Sequence, residues 1–174
     1  MNISSRYIRE SATVCGSKVR QRAATAMVVT LTTSVLVVGL SVSPAEAAAT
    51  CKGVKREKAM CIALKQRGKP YVLGAVGPAS FDCSGLMQYA YGAAGVKIPR
   101  TTQQQAKMNS KWVPVKKPLL GDLVLFNTSD GVNTHVGMYV GDSSVLHAPR
   151  AGANVKISAI KYMGVVSGYM HYRG

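Results

Sequence analysis

Acidic side chains are scarce in this chain: seven Asp and Glu stand against 22 Lys and Arg, a formal net charge of +15 over 174 residues. So lopsided a balance suits contact with anionic polymers, whether nucleic acid, an anionic membrane or the phosphate-bearing polymers of a cell wall. Further absences narrow that choice. There is no zinc-finger spacing, leucine zipper or RNP-type aromatic motif, which leaves nucleic acid without a specific reader. No C-x-x-C pair occurs, and the three histidines lie far downstream of the cysteines, which argues against a metal centre. Internal repeats and low-complexity tracts are missing too, and the length allows one ordinary domain and little more. Hydrophobic residues make up 47% of the chain, enough for a globular core.

What is present begins with a leader. Arg6, Arg9, Lys18, Arg20 and Arg22 face a single acid, Glu10, before an apolar run, AATAMVVTLTTSVLVVGLSV, and then SPAEAAAT. Basic, apolar, then small residues is the order of a secretory signal, with Ala45-Glu46-Ala47 as its A-x-A cleavage site. Residues 1–47 are therefore expected to be a cleaved signal peptide, and 48–174 a single domain that is secreted and folds outside the cytosol. An uncleaved anchor is the competing reading, because the run approaches the ~20 residues that span a bilayer; its threonines and serines and the A-x-A site disfavour it. Thr50 fits poorly before a lipidated Cys51, and no adjacent arginine pair marks a twin-arginine signal. Removing the leader leaves 17 basic and 5 acidic groups, near +12. The positive charge thus belongs to the mature domain, where it suits retention on anionic wall polymers as well as an ordinary solvated face.

Cys15 leaves with the leader, so the mature chain keeps Cys51, Cys61 and Cys83, an odd number. In an oxidising compartment that predicts one disulfide and one free thiol. Cys51 and Cys61 bracket a short segment that a bridge can close, which makes Cys83 the one left over. A free exported thiol is a liability unless it is buried or used.

The element pattern is simple. KREKAMCIALKQRGK has apolar residues at helical spacing and stops at Gly68 and Pro70. A Gly/Pro-rich loop follows, then a second helix over DCSGLMQYAYGAAG with Asp82 as N-cap and Gly92 or Gly95 at its end. A short helix is expected near Thr101. Five strands then read as GDLVLFN, HVGMYVG, SSVLHAP, NVKISAI and VVSGYMHYR, with turns at SDGVN, GDSS and RAGAN. Helices first and strands after predict an α+β domain with a mainly antiparallel sheet.

Cys83 falls in the first turn of the second helix. There the unpaired backbone N–H groups favour negative charge on sulfur and can stabilise an oxyanion formed when it attacks a carbonyl. Gly85, without a side chain, lets a neighbouring strand or a substrate come close. The base is sought among His135 and His147, which start and end two strands joined by GDSS and can lie side by side on one face. His171 has no such partner and reads as structural or exposed.

At this point the chain resembles the NlpC/P60 cysteine peptidases, which cut the peptide stems of bacterial cell walls. The anchors are KPYVLGAVGPASFDCSGLMQYAY, IPRTTQQQ, GDLVLF, HVGMYVG and LHAP, in that family's order and spacing, from about Val54 to the C-terminus. The resemblance implies a papain-like α+β fold, with Cys83 as nucleophile, His135 as general base and later acid, and His147 as the orienting third residue. It also implies that Tyr71 faces the site and that Asp82 and Ser84 contact the free amino end of a stem peptide, though Asp82 reads equally well as a helix cap and Ser84 as a first-turn residue. Arg100 matches the family's Pro-Arg segment without a role that the sequence reveals. The usual Gly-Gly pair of the tyrosine loop is Gly74-Ala75 here, and an aromatic before it is Leu73. The implied substrate is the bond between D-glutamate, through its side-chain carboxyl, and the following diamino acid, cut by a monomer that needs neither metal nor cofactor. An amidase or acyltransferase of the same superfamily, or a silent basic wall-binding module, are the alternatives.

Overall fold

The computed structural model describes residues 51–108 and 110–174; the expected signal peptide lies outside the described residues. Helix α1 (Lys55–Leu64) turns Ala59, Met60, Ile62 and Ala63 inward. A disulfide between Cys51 and Cys61, ten positions apart, ties the entering chain to the second turn of α1. Closing so short a loop is worth roughly 2–3 kcal/mol through the unfolded chain it restricts. Cys51 therefore has no thiol free for a lipid, and among the described residues Cys83 is the free cysteine.

Helix α2 (Cys83–Ala93) places Leu86, Met87, Ala90 and Tyr91 on one face, all fully buried. That spacing is the sequence signal of an amphipathic helix. Gly95, at φ 81°, lets the chain turn away just beyond its end. Tyr91 satisfies its buried hydroxyl by donating to the Gly121 carbonyl at 2.5 Å, and its ring meets Trp112 edge-on at 4.9 Å. The short helix α3 (Thr102–Gln105) is held by a capping box: the Thr101 hydroxyl accepts from the Gln104 N–H, and the Gln104 side chain accepts from the Thr101 N–H.

Six strands follow: β1 (Trp112–Val115), β2 (Leu123–Thr128), β3 (Gly131–Gly141), β4 (Ser144–His147), β5 (Lys156–Ala159) and β6 (Val165–Tyr172). They form one sheet in the order β1-β6-β2-β3-β4-β5, with every neighbouring pair antiparallel. The fold is a papain-like α+β domain. Strand β1 has no counterpart among the five strands read from sequence. It is four residues long and contains Pro114, and as an edge strand paired only with β6 it tolerates the missing N–H. Strand β3 also starts earlier than its apolar pattern suggests, at Gly131, because β2 and β3 continue as a hairpin through a bulge near Phe126–Thr128.

Alternation along the strands separates two apolar clusters. Leu123, Leu125, Val136, Met138 and Leu146 join the helices in the main core. Val124, Phe126 and Val145 form a smaller cluster with Tyr139, Val166 and Tyr169, to which helices α1, α2 and α3 contribute nothing. Helices α1, α2 and α3 all pack against β3, the strand that carries His135. Among the described residues no helix is long and apolar enough to cross a membrane.

Candidate active site

Asp82 is the N-cap of α2 and accepts from the Gly85 N–H at 2.7 Å. It also accepts from the Gly74 N–H at 2.9 Å, so one carboxylate fixes both the helix start and the tyrosine loop. Gly85 has to be glycine: a Cβ there would stand 2.1 Å from the Ala75 carbonyl oxygen, which itself accepts from the Asp82 N–H. The loop backbone thus lies directly against the first turn of the helix. Arg100 closes the assembly. Its guanidinium grips both Asp82 oxygens and donates to the Ser84 hydroxyl at 2.9 Å, while Ser84 donates to Asp82 at 3.3 Å. Burial alone would push the Asp82 carboxyl up, yet the Arg100 bonds and the Gly85 and Gly74 N–H groups together hold it below the usual carboxylate range. Asp82 and Ser84 are both buried and bonded to Arg100, and both also line the groove beside Cys83; the bonds give Arg100 a purpose that its sequence position did not disclose.

Cys83 is half-buried at the start of α2, and its sulfur lies 3.7 Å from the Thr102 hydroxyl of α3. Among the described residues, the Cys83 and Ser84 backbone N–H groups have no hydrogen-bond acceptor, as expected for the first turn of a helix. Gln105, fully buried, donates to the Ser84 and Pro99 carbonyls and so ties α3 to the first turn of α2. Tyr71 reaches the same groove, and burial, then the charges at Cys83 and Asp82, keep its phenol protonated.

The imidazoles form a relay on the sheet. His135 Nε2 lies 2.9 Å from His147 Nδ1, and His147 Nε2 lies 3.0 Å from the Ser158 hydroxyl. Burial lowers the His135 pKa from 6.5 to about 4 and that of His147 to about 3, the latter helped by His135 and Lys156. Both rings are therefore neutral at pH 7, and each link carries one proton. If His135 Nε2–H donates to His147 and His147 Nε2–H donates to Ser158, Nδ1 of His135 is a bare lone pair, the form a base requires. Gly137 lets β3 and β4 approach closely, since a Cβ there would press on Val145 and the Leu146 carbonyl at 3.1 Å.

Thiol and relay are not yet joined. His135 is paired with Phe126 across β2 and β3, and its ring packs on that side chain at 6.1 Å, in the smaller cluster. Cys83 packs against the main core instead, and among the described residues no hydrogen bond links its sulfur to either imidazole. The groove beside Cys83, about 580 Å³, is lined by Tyr71, Gly74, Asp82, Ser84 and Arg100 and also by Asp130 and Thr134, the residue next to His135. His171 lies elsewhere, 2.8 Å from the buried carboxylate of Asp122, and is structural. Among the described residues no three His, Cys, Asp or Glu side chains are placed to hold a metal.

Ser158 and Thr102 were invisible in the sequence. Nothing in NVKISAI marks a hydroxyl that meets a histidine from the next strand, and Thr102 reads only as a residue of a capped helix.

The NlpC/P60 family matches residues 68–173 of this sequence. The chain belongs to that family. It is 40% identical over 116 residues to the bifunctional muramidase/DL-endopeptidase CwlT of Bacillus subtilis, covering 65% of this chain and 33% of that protein. It is also 40% identical over 92 residues to the gamma-D-glutamyl-L-lysine dipeptidyl-peptidase of Bacillus subtilis, covering 52% and 31%. The chain thus spans about a third of the length of these relatives. Among solved structures, NlpC2 of Trichomonas vaginalis superposes with a TM-score of 0.65 at 32% identity, over 73% of this chain and 50% of that one. RipD of Mycobacterium tuberculosis, described as a non-catalytic NlpC/p60 domain protein adapted to peptidoglycan binding, superposes at 0.55 with 29% identity, over 68% and 97%.

Proposed function

We propose that this protein is an exported cysteine endopeptidase of the bacterial cell wall, which hydrolyses the amide between the side-chain carboxyl of D-glutamate and the following diamino acid in peptidoglycan stems. The observation that carries the reading is the one unbridged thiol among the described residues, placed at a helix start on the wall of a groove, with two unpartnered N–H groups beside it. Family membership and the names of the relatives supply the substrate class.

In the first stage Cys83 Sγ bonds to the amide carbon, its proton passes to His135 Nδ1, and the carbonyl electrons move onto an oxyanion beside the Cys83 and Ser84 N–H groups. Collapse of the oxyanion breaks the C–N bond while His135 returns the proton to the leaving amine. Water then attacks the thioester, gives its proton to His135, and the thiolate leaves and is reprotonated. For this to occur, the sulfur must exchange its Thr102 contact for His135; catalytic hydrogen bonds often tighten only once substrate is bound. His147 and Ser158 hold the His135 tautomer and receive its positive charge.

A second reading has a specific observation behind it. The missing Cys83–His135 hydrogen bond, together with the likeness to RipD, suits a module that binds wall peptides without cutting them. Mass spectrometry of purified walls treated with the full chain separates the readings. New termini after D-glutamate support the endopeptidase, loss of whole stems marks an amidase, and unchanged fragments support the binder. Cys83→Ser should abolish cleavage without shifting the melting temperature; an active Cys83→Ser protein would remove the nucleophile assignment.

A further inference from the structure

A second depression, of about 490 Å³, is lined by Lys55, Lys97, Lys107 and Lys111 together with Gln104 of α3. We infer that it binds a linear phosphodiester polyanion of the cell wall and thereby holds the enzyme beside its peptide substrate. The inference rests on the reading of an exported wall protein and adds a site to it.

Four exposed lysines line it, and no carboxylate is among the lining residues. None of the four makes an ion pair among the described residues; the nearest acid on α1, Glu57, faces Arg56. Unscreened like charges around one depression repel, and an anion that enters relieves all four contacts together. Lysine holds phosphate as a point charge on a flexible stem, without the fixed fork of arginine. The depression is therefore suited to successive charges on a flexible chain, rather than to one small anion that must be oriented.

Nucleic acid is the competing polyanion, and the floor argues against it. Single strands are held largely by stacking bases on exposed aromatic rings. Here the aromatic residues, Trp112 and Tyr172, are only 6% and 4% exposed, packed against each other and Tyr91. An aliphatic polyol phosphate needs no such platform. The placement also links the two sites: Thr102 and Gln103 line the groove at Cys83, while Gln104, one residue on, and Lys107 line the lysine depression. A polymer attached to the glycan would then share α3 with a stem of the same wall.

The test uses the full chain carrying Cys83→Ser, so that hydrolysis cannot alter the walls. Sedimentation is measured with purified walls, with walls stripped of phosphodiester polymer, and with isolated polyglycerol phosphate, over a salt series. The variant Lys55→Gln/Lys97→Gln/Lys107→Gln/Lys111→Gln should bind native walls about tenfold or more weakly at about 0.15 M salt, with a shallower dependence of log K on log salt. A control with the same net charge, Lys52→Gln/Lys58→Gln/Lys116→Gln/Lys117→Gln, should lose less than about threefold. Equal loss in the control, or undiminished binding to stripped walls, overturns the site. Tighter binding of single-stranded DNA than of polyglycerol phosphate, lost with the same four lysines, would reassign it to nucleic acid. Stem-peptide cleavage by the unmodified chain is scored separately, so failure of the enzymatic reading leaves these results interpretable.

Discussion

On the helix side of the site, a buried carboxylate stays charged because Arg100 and two backbone N–H groups hold it; on the sheet side, the half-buried His135 and the buried His147 stay neutral because nothing charged compensates them. The first assembly is a rigid frame, fixing the helix start, the tyrosine loop and the segment after α2 through one side chain. The second is a line of single hydrogen bonds whose direction can reverse with one proton. A nucleophile needs the former, because its position relative to the oxyanion donors decides the rate. A base needs the latter, because it must take up and return a proton within each turnover.

The comparison breaks first at His135. If the neutral relay is the base, His135→Asn should lower kcat on a stem peptide by about 1,000-fold while the Cys83 thiol still reacts with a small alkylating agent. A loss of less than tenfold would place the base elsewhere and return weight to the wall-binding reading.

The frame should fail differently. Arg100→Met leaves the Asp82 carboxylate buried without its main partner, at a cost of about 2–3 kcal/mol; the figure is kept below that of a fully buried pair because the Arg100 side chain is 33% exposed. Arg100→Lys restores charge but not the two-pronged grip, and should recover only part of the loss in a denaturant titration. Activity should fall with stability in both variants, because the helix start and the loop move together.

pH separates the two assemblies. The imidazoles have folded pKa values below 6.5, so the unfolded chain binds protons first and stability falls as pH drops below about 6.5, continuing to about 4 for His135 and about 3 for His147. Between pH 7 and 5.5 the two rings should withdraw roughly 2 kcal/mol. Asp82, with its pKa depressed, contributes stability that is lost only below the ordinary carboxylate range. Asp122, raised by burial, acts with the opposite sign as pH falls toward that range. Unfolding midpoints of the wild type and of His147→Gln, read across this window, check the claim; the variant should lose about half of the slope above pH 5.5.

How much of this was written in the sequence depends on whether the cause was local. Asp82 as cap, the run Leu86, Met87, Ala90, Tyr91, the alternation of Leu123 to Phe126 and the odd cysteine are local patterns, and each led to the element or pairing observed. Strand β1 was not legible, because its only support is pairing with β6, some sixty residues away, and Pro114 reads locally as a breaker. The grip of Arg100 on Asp82 spans 18 residues and depends on how the segment after α2 folds back. That His135 and His147 meet could be inferred from their positions on a hairpin. That His135 shares a face with Phe126, and that the sulfur turns to Thr102, follow from registers and rotamers that no spacing reveals.

Ser158 gives the smallest effect and the sharpest view of the relay. It is the last link, 3.0 Å from His147, and touches neither thiol nor groove. If its oxygen accepts from His147 Nε2–H, His147 Nδ1 is fixed as an acceptor, and His135 is fixed with its proton on Nε2. Removing one neutral hydrogen bond of about 1 kcal/mol should then lower kcat about fivefold, with little change in KM. A merely structural serine would instead move the melting temperature and leave the tautomer alone. The ring nitrogen shifts of His135 in Ser158→Ala decide between them: a mixture of Nδ1–H and Nε2–H forms marks a relay that has lost its direction. Ser158→Thr keeps the hydroxyl and should restore the single tautomer, whereas a wild-type nitrogen spectrum in Ser158→Ala would end the relay at His147.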